Sequence, residues 1–388
     1  MPNSTTGRAV TGRRTTGRRA SGRRAGRIGV AAIAAATAAS LTAGTAGAAT
    51  STSGRASAAQ TATRASATPT TTDRAAAAAG YLARHLQGKH HDHYTLTFGS
   101  TKYVDYGTTA DAILSMDAAG VAQAPAARAT AYLESHARNY AAAKPTYYPG
   151  STAKLLLVAL AQHRNVHDFG GVDLVAELQR SESAAGAQPG EFQQNPGAPA
   201  NSTAYIVSQA LPVLALALTP GAAGQPDGDA IAFLANQQCS NGAFSSTVRD
   251  DTTKPCADND VDSTGYAVQA LLAAGAKQPA AKALVWLAHA RNSDGGFGTP
   301  ASNANSTALA VQALVAGRRS AASGIKWLRH HQVGCAGKPA RRGAVKFQSK
   351  YDASALRATS QAGAALAGKP LAWIDRTGAH RATPTLAC

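Results

Sequence analysis

Residues 290–314 read ARNSDGGFGTPASNANSTALAVQAL. A glycine-aromatic turn, SDGGFG, leads through a polar stretch into a run of small apolar residues. The end of that run, STALAVQAL (306–314), has a near-copy in STGYAVQALL (263–272). Weaker copies are STAYIVSQAL (202–211), STAKLLLVAL (151–160), TTADAILSM (108–116) and ASALRATSQA (353–362). The aligned residues Thr109, Thr152, Thr203, Thr264, Thr307 and Ser354 stand 43, 51, 61, 43 and 47 residues apart. Recurrence at about that period marks a repeat architecture, each unit holding two helices, with insertions confined to loops. SDGGFG is therefore first the corner of a repeated unit and only then a candidate for chemistry.

Each copy is preceded by a second helix and a turn. The preceding helices begin at Tyr81-Leu82, Tyr132-Leu133, Leu174-Val175, Phe233-Leu234, Trp286-Leu287 and Trp327-Leu328. The turns are Phe98-Gly99, Tyr148-Pro149-Gly150, Gly190-Glu191-Phe192, Gly242-Ala243-Phe244, Gly295-Gly296-Phe297-Gly298 and Gly343 to Phe347. WLAHARNSD and YLESHARNY separate polar from apolar residues, so these helices belong outside with one face in water. ALAVQALVAG and YIVSQALPVLALAL are apolar nearly all round and belong inside. Asn201, Asp262, Asn305 and Asp352 stand just before the inner helices, where Asp or Asn accepts hydrogen bonds from first-turn amides. Alternating outer and inner helices close into a ring or stack as an open solenoid. The degenerate end units favour closure.

Composition narrows the function. The formal net charge is +17, but residues 1–72 carry ten arginines and no acid, so the remaining +7 is spread thinly. A basic stripe interleaved with stacking aromatics is missing, which argues against nucleic-acid binding. Arginine pairs at Arg13-Arg14, Arg18-Arg19 and Arg23-Arg24, an apolar run from Ile28 and Ala46-Gly47-Ala48 read as an export signal over 1–48. Residues 49–72 lack an apolar period and are expected to be a disordered lead-in, with the folded domain over 73–388. The apolar run is short and weakly apolar for a span, so no stable membrane segment is expected once the signal is removed. Export makes disulfides the natural use of four cysteines. Sequence locality pairs Cys239 with Cys256 and Cys335 with Cys388.

ARNSDGGFG and NQQCSNGAFS (236–245), with the inner-helix pattern [DN]-S-T-A-x-A-V-Q-A-L, resemble the Q-x-x-D-G-G-[WF]-G type repeat of squalene cyclases and protein prenyltransferases. The resemblance covers about residues 75–370 and extends to vitamin-B12 carriers and to exported bacterial repeat proteins without an assigned activity. It implies an all-α fold, an α/α toroid of six inner and six outer helices around a funnel. Class II terpene cyclases of that family carry D-x-D-D at the start of an inner helix. Asp260-Val261-Asp262-Ser263 falls in that kind of position, with Asp260 matching the first Asp, Asp262 the proton donor and Ser263 replacing the last. Paired carboxylates keep such a donor protonated, because they do not ionise together cheaply.

Other chemistry is thinly represented. Aromatics are 5% of the chain, few for the cation-stabilising cavity of a carbocation cyclase, and the inner helices offer little beyond Tyr205 and Tyr266. The D-x-C zinc ligands of prenyltransferases do not occur, and the histidine cluster His90-His91-Asp92-His93 lies in a first-repeat loop, so no metal and no cofactor is assigned. Toroids also carry glycan-cleaving enzymes that need two facing carboxylates, but Glu134, Glu177, Glu182 and Glu191 do not recur at inner-helix starts. Asp111 is the carboxylate expected to face the funnel. The reading is an exported toroid binding an unidentified small molecule or cell-envelope component without catalysis, through Asp262, Asn305, Asn201, Asp111 and Tyr266. Unpaired amides at the inner-helix N-termini favour an anionic or polar group. The alternative is a divergent class II cyclase-like enzyme using Asp262 and Asp260.

Overall fold

The computed structural model describes residues 69–143, 146–183, 188–194 and 204–388. The expected export signal, most of the lead-in, Asn201 and Thr203 lie outside the described residues. In chain order the helices are α1 (Arg74–Arg84), α2 (Tyr106–Ala119), α3 (Gln123–Ser135), α4 (Ala137–Ala141), α5 (Pro149–Ala161), α6 (Leu174–Ser181) and α7 (Val207–Ala217). They continue as α8 (Gly228–Asn236), α9 (Val261–Ala273), α10 (Lys277–His289), α11 (Ala304–Ala316), α12 (Ala322–His331) and α13 (Ala355–Leu366). The paired apolar residues expected at the outer-helix starts do lie in α1, α3, α6, α8, α10 and α12. Except for Leu174-Val175 they sit well inside those helices, because the first turns are polar or alanine-rich.

Helices α2, α5, α7, α9, α11 and α13 are buried on almost every side. Each packs on the next, and α13 packs back on α2. Small residues permit the close approach: a Cβ on Gly363 of α13 would overlap Ser115 Oγ of α2. The other helices lie outside this ring. Helix α1 leans on α2 and α13, α6 on α5, α8 on α7 and α9, α10 on α9, and α12 on α11 and α13. The chain is thus an all-α, closed α/α toroid.

The repeated turns are the joints of the ring. Gly190, Gly242, Gly295 and Gly343 all have φ between 84° and 95°, a region glycine enters freely. A Cβ on Gly190, Gly242 or Gly343 would strike the backbone of α8, α10 or α1 respectively. The Gly343 contact, with Ala77, joins the last unit to the first. Behind each glycine the chain dips inward, and the amides of Tyr94, Phe244, Phe297 and Val345 donate to the hydroxyls of Thr109, Thr264, Thr307 and Thr359. Phe192 makes the same bond to Gln209 Oε1. In SDGGFG itself, Asp294 accepts from the Gly296 amide, Ser302 Oγ and Trp327 Nε1, fastening the turn to α12.

These bonds correct the repeat register. The third unit is aligned on Gln209 instead of Thr203, and the sixth on Thr359 instead of Ser354. Tyr94, fully buried, replaces Phe98 as the inward aromatic of the first unit. Phe98 is 71% exposed in a hairpin of Thr95–Phe98 with Thr101–Val104.

The C-terminal segment crosses the C-terminal ends of the inner helices. Leu371 N bonds Gln269 Oε1 of α9, Arg376 N bonds the Ala161 carbonyl of α5, and His380 N bonds the Gly120 carbonyl after α2. Thr385–Leu386 then pairs in parallel with Thr70–Thr71. Cys335 and Cys388 are joined, as are Cys239 and Cys256. Closing loops of 53 and 17 residues stabilises by about 4 and about 3 kcal/mol in the chain-entropy model. No described helix is long and apolar enough to cross a membrane.

Candidate ligand site at the inner-helix N-termini

The cap expectation fails by two residues, and the shift creates the site. Helix α9 is capped by Asp260, whose Oδ1 accepts from the Ser263 amide, and α11 by Asn303, whose Oδ1 accepts from the Ser306 amide. Asp352 precedes the Ser354 cap of α13. Asp262 and Asn305 therefore stand inside the first turn, one on α9 and one on α11. Both residues are partly buried, yet their Oδ1 atoms are shut off from solvent without a hydrogen-bond partner. Asp262 also meets Ser306 of α11, which sets the two first turns side by side. Burial, then the neighbouring Asp260 carboxylate, pushes the Asp262 carboxyl up to about 6.

Asp111 of α2 is paired with Lys154 of α5, Nζ to Oδ1 being 2.8 Å, with both side chains largely buried. Burial opposes the Lys154 charge, but the Asp111 carboxylate beside it overcomes that and raises its pKa, with Tyr140 and Tyr266 nearby. Tyr266, one turn beyond Asp262 on α9, lies within electrostatic reach of Lys154, Asp111, Asp262 and Tyr140. Burial leads those influences and keeps its hydroxyl protonated. The structure therefore brings Asp262, Asn305, Asp111 and Tyr266 to one end of the ring. Asp260 is occupied as a cap. Tyr205 is not on an inner helix; it precedes α7, bridges to Thr247 and is 38% exposed.

Lys154 and Tyr140 were not anticipated. Lys154 was legible in the repeat, standing two residues after Thr152 as Asp111 follows Thr109 and Tyr266 follows Thr264. Tyr140 was not, because it comes from α4, which belongs to no repeat copy. The anion expectation weakens as well. Asp105, Asp260 and Asn303 already accept from first-turn amides of α2, α9 and α11. The histidine cluster contributes elsewhere: His93 bonds Asp92 and stacks on Tyr132 at 4.1 Å. It lines a groove of about 580 Å³ with His90, Arg128 and His136. Among the described residues no group of three or more His, Cys, Asp or Glu side chains is placed to hold a metal.

No protein-family model and no curated protein matches the chain. Solved structures share its fold. The unsaturated glucuronyl hydrolase from Bacillus sp. GL1 superposes with a TM-score of 0.54 at 12% identity, over 76% of this chain and 95% of that one. The type II terpene cyclase MstE from Scytonema gives 0.50 at 15% identity, over 76% and 96%. A protein from Actinoplanes gives 0.50 at 18% identity, over 76% and 99%. At these identities the likeness is one of fold, and it is the α/α toroid.

Proposed function

We propose that this chain is an exported, non-catalytic binding protein of the α/α-toroid fold that takes a small molecule at the N-terminal end of its inner ring. The carrying observation is the polar cluster there: a Lys154–Asp111 ion pair beside Tyr140 and Tyr266, with unpartnered oxygens on Asp262 and Asn305. Such groups recognise polar functions, whereas a carbocation cyclase calls for an aromatic-walled cavity. The carboxylates nearest Asp262 and Tyr266 are already engaged. Asp260 is held by the Ser263 amide and Asp111 by Lys154. Two disulfides suit an oxidising compartment and support export.

The second reading, a class II cyclase-like enzyme, draws support from one observation. Asp262 is a buried carboxyl held up to about 6, with another carboxylate beside it, the condition for a general acid near neutrality. Native mass spectrometry of the protein from its own culture medium is expected to show a co-purifying small molecule. Incubation with prenyl diphosphates and with squalene is expected to give no product. A product that disappears in Asp262→Asn would replace the binding reading with the cyclase one.

A further inference from the structure

We infer that the group recognised in the ring is a protonated primary amine, seated between the Asp262 carboxylate and the Asn305 side-chain carbonyl. This rests on the binding reading above and names the chemistry it requires. Among the described residues both Oδ1 atoms are buried acceptors without a hydrogen-bond partner, although the Asp262 carboxyl does take a hydrogen bond from the Ser306 side chain. They stand on adjacent first turns, linked by the approach of Asp262 to Ser306. A buried acceptor left unmade is costly, and a buried charge without a counter-charge more so.

Among the described residues no cation is placed to supply that counter-charge. The charged neighbour of Asp262 is Asp260, another carboxylate. Lys154 is committed to Asp111 at 2.8 Å. A ligand must therefore bring both donors and positive charge. An ammonium group offers three N–H donors in one compact head, enough for Asp262 and Asn305 with one to spare. Tyr266 lies one turn further in on the same helix, within electrostatic reach of Asp262, and aromatic rings attract cations. A hydroxyl brings one donor and no charge. An anion would meet Asp262 and Asp260 head-on, and one first-turn amide on each helix is already bonded to Asp260 or Asn303.

The test is calorimetric titration of the full chain, with both disulfides formed, using three probes of one length at pH 8: hexylamine, hexan-1-ol and hexanoate. Hexylamine is expected to bind at least tenfold more tightly than hexan-1-ol, and hexanoate to bind most weakly. Asp262→Asn should weaken hexylamine at least tenfold and bring it level with the alcohol. Asn305→Leu leaves every charge in place and should weaken it threefold or more, which covers the case in which the first variant does not fold. Equal binding of alcohol and amine, or amine binding that survives both substitutions, overturns the amine assignment while leaving a ligand in the ring. No heat from any probe also overturns it; the co-purification experiment then decides the broader reading separately.

Discussion

Asp260 and Asp262 show how much two residues decide. The caps expected from the sequence, Asp262 and Asn305, lie two positions past the actual ones, Asp260 and Asn303, because a helix start is not legible to within two positions. Tertiary contact selects the earlier one, because Phe244 and Phe297 bond Thr264 and Thr307 and fix where each first turn begins. The later residue is then turned toward the ring. Asp111 was legible as a lone charge on an apolar helix, and Lys154 would have been had the register been read across all copies. Their pair makes a prediction at this scale. Lys154→Met leaves Asp111 as an unmatched buried charge and should cost about 3–5 kcal/mol in urea unfolding. Lys154→Met with Asp111→Leu should recover most of that loss. A double variant as unstable as the single one would show that the pair is not buried as a unit.

At the scale of the element, periodicity made the helices and their inner or outer placement legible, because burial on one face or on all faces is written in composition. Terminal units were misread where several aromatics stand close together. Tyr94 and Phe98 both flank the first hairpin, and only the bond from the Tyr94 amide to Thr109 determines which is buried. The turn glycines are ranked by what surrounds them. Gly343 has φ 91°, and a Cβ there would lie 2.2 Å from the Ala77 carbonyl oxygen. Gly99 has φ 58° and open space around it. Gly99→Ala should therefore cost about 1 kcal/mol, the ordinary price of a left-handed residue. Gly343→Ala must also push α1 away and should lower the melting temperature by clearly more. Equal shifts would mean that the joint between last and first units is not tight.

For the whole molecule, buried carboxylates set the response to pH. Burial pushes Asp117, held by Gln123 and Gln162, up to about 6. Burial, with Asp227 and Asp229 adding repulsion, pushes Glu182 up to about 7. Carboxyls with folded values above their unfolded ones favour the fold when protonated. Their contribution is full below about pH 4 and is lost as pH rises through 6–7. For Asp117 alone the difference is on the order of 3 kcal/mol. Melting temperature is thus expected to rise from pH 8 to pH 5, as measured by circular dichroism. A fall over that interval would contradict the burial of these groups. None of this was legible beforehand, since Asp117 and Glu182 lie outside the repeat motif and acquire their surroundings only when distant segments meet.

The joint between last and first units also constrains how the molecule can be made. Tyr81 of α1 hydrogen-bonds Tyr351, 270 positions later, and the Arg74 carbonyl accepts from Gln332 across 258. During synthesis α1 emerges early, yet the partners of one of its faces, α13 and the segment around Gly343, come last. Contacts this distant in sequence slow the search for the native state, even though the entropy of closing a long loop grows only logarithmically. Until then the alanine face of α1 stays bare. The Cys335–Cys388 bond and the pairing of Thr70–Thr71 with Thr385–Leu386 form in the same late event, so the ring is latched by the stretch of chain that completes it.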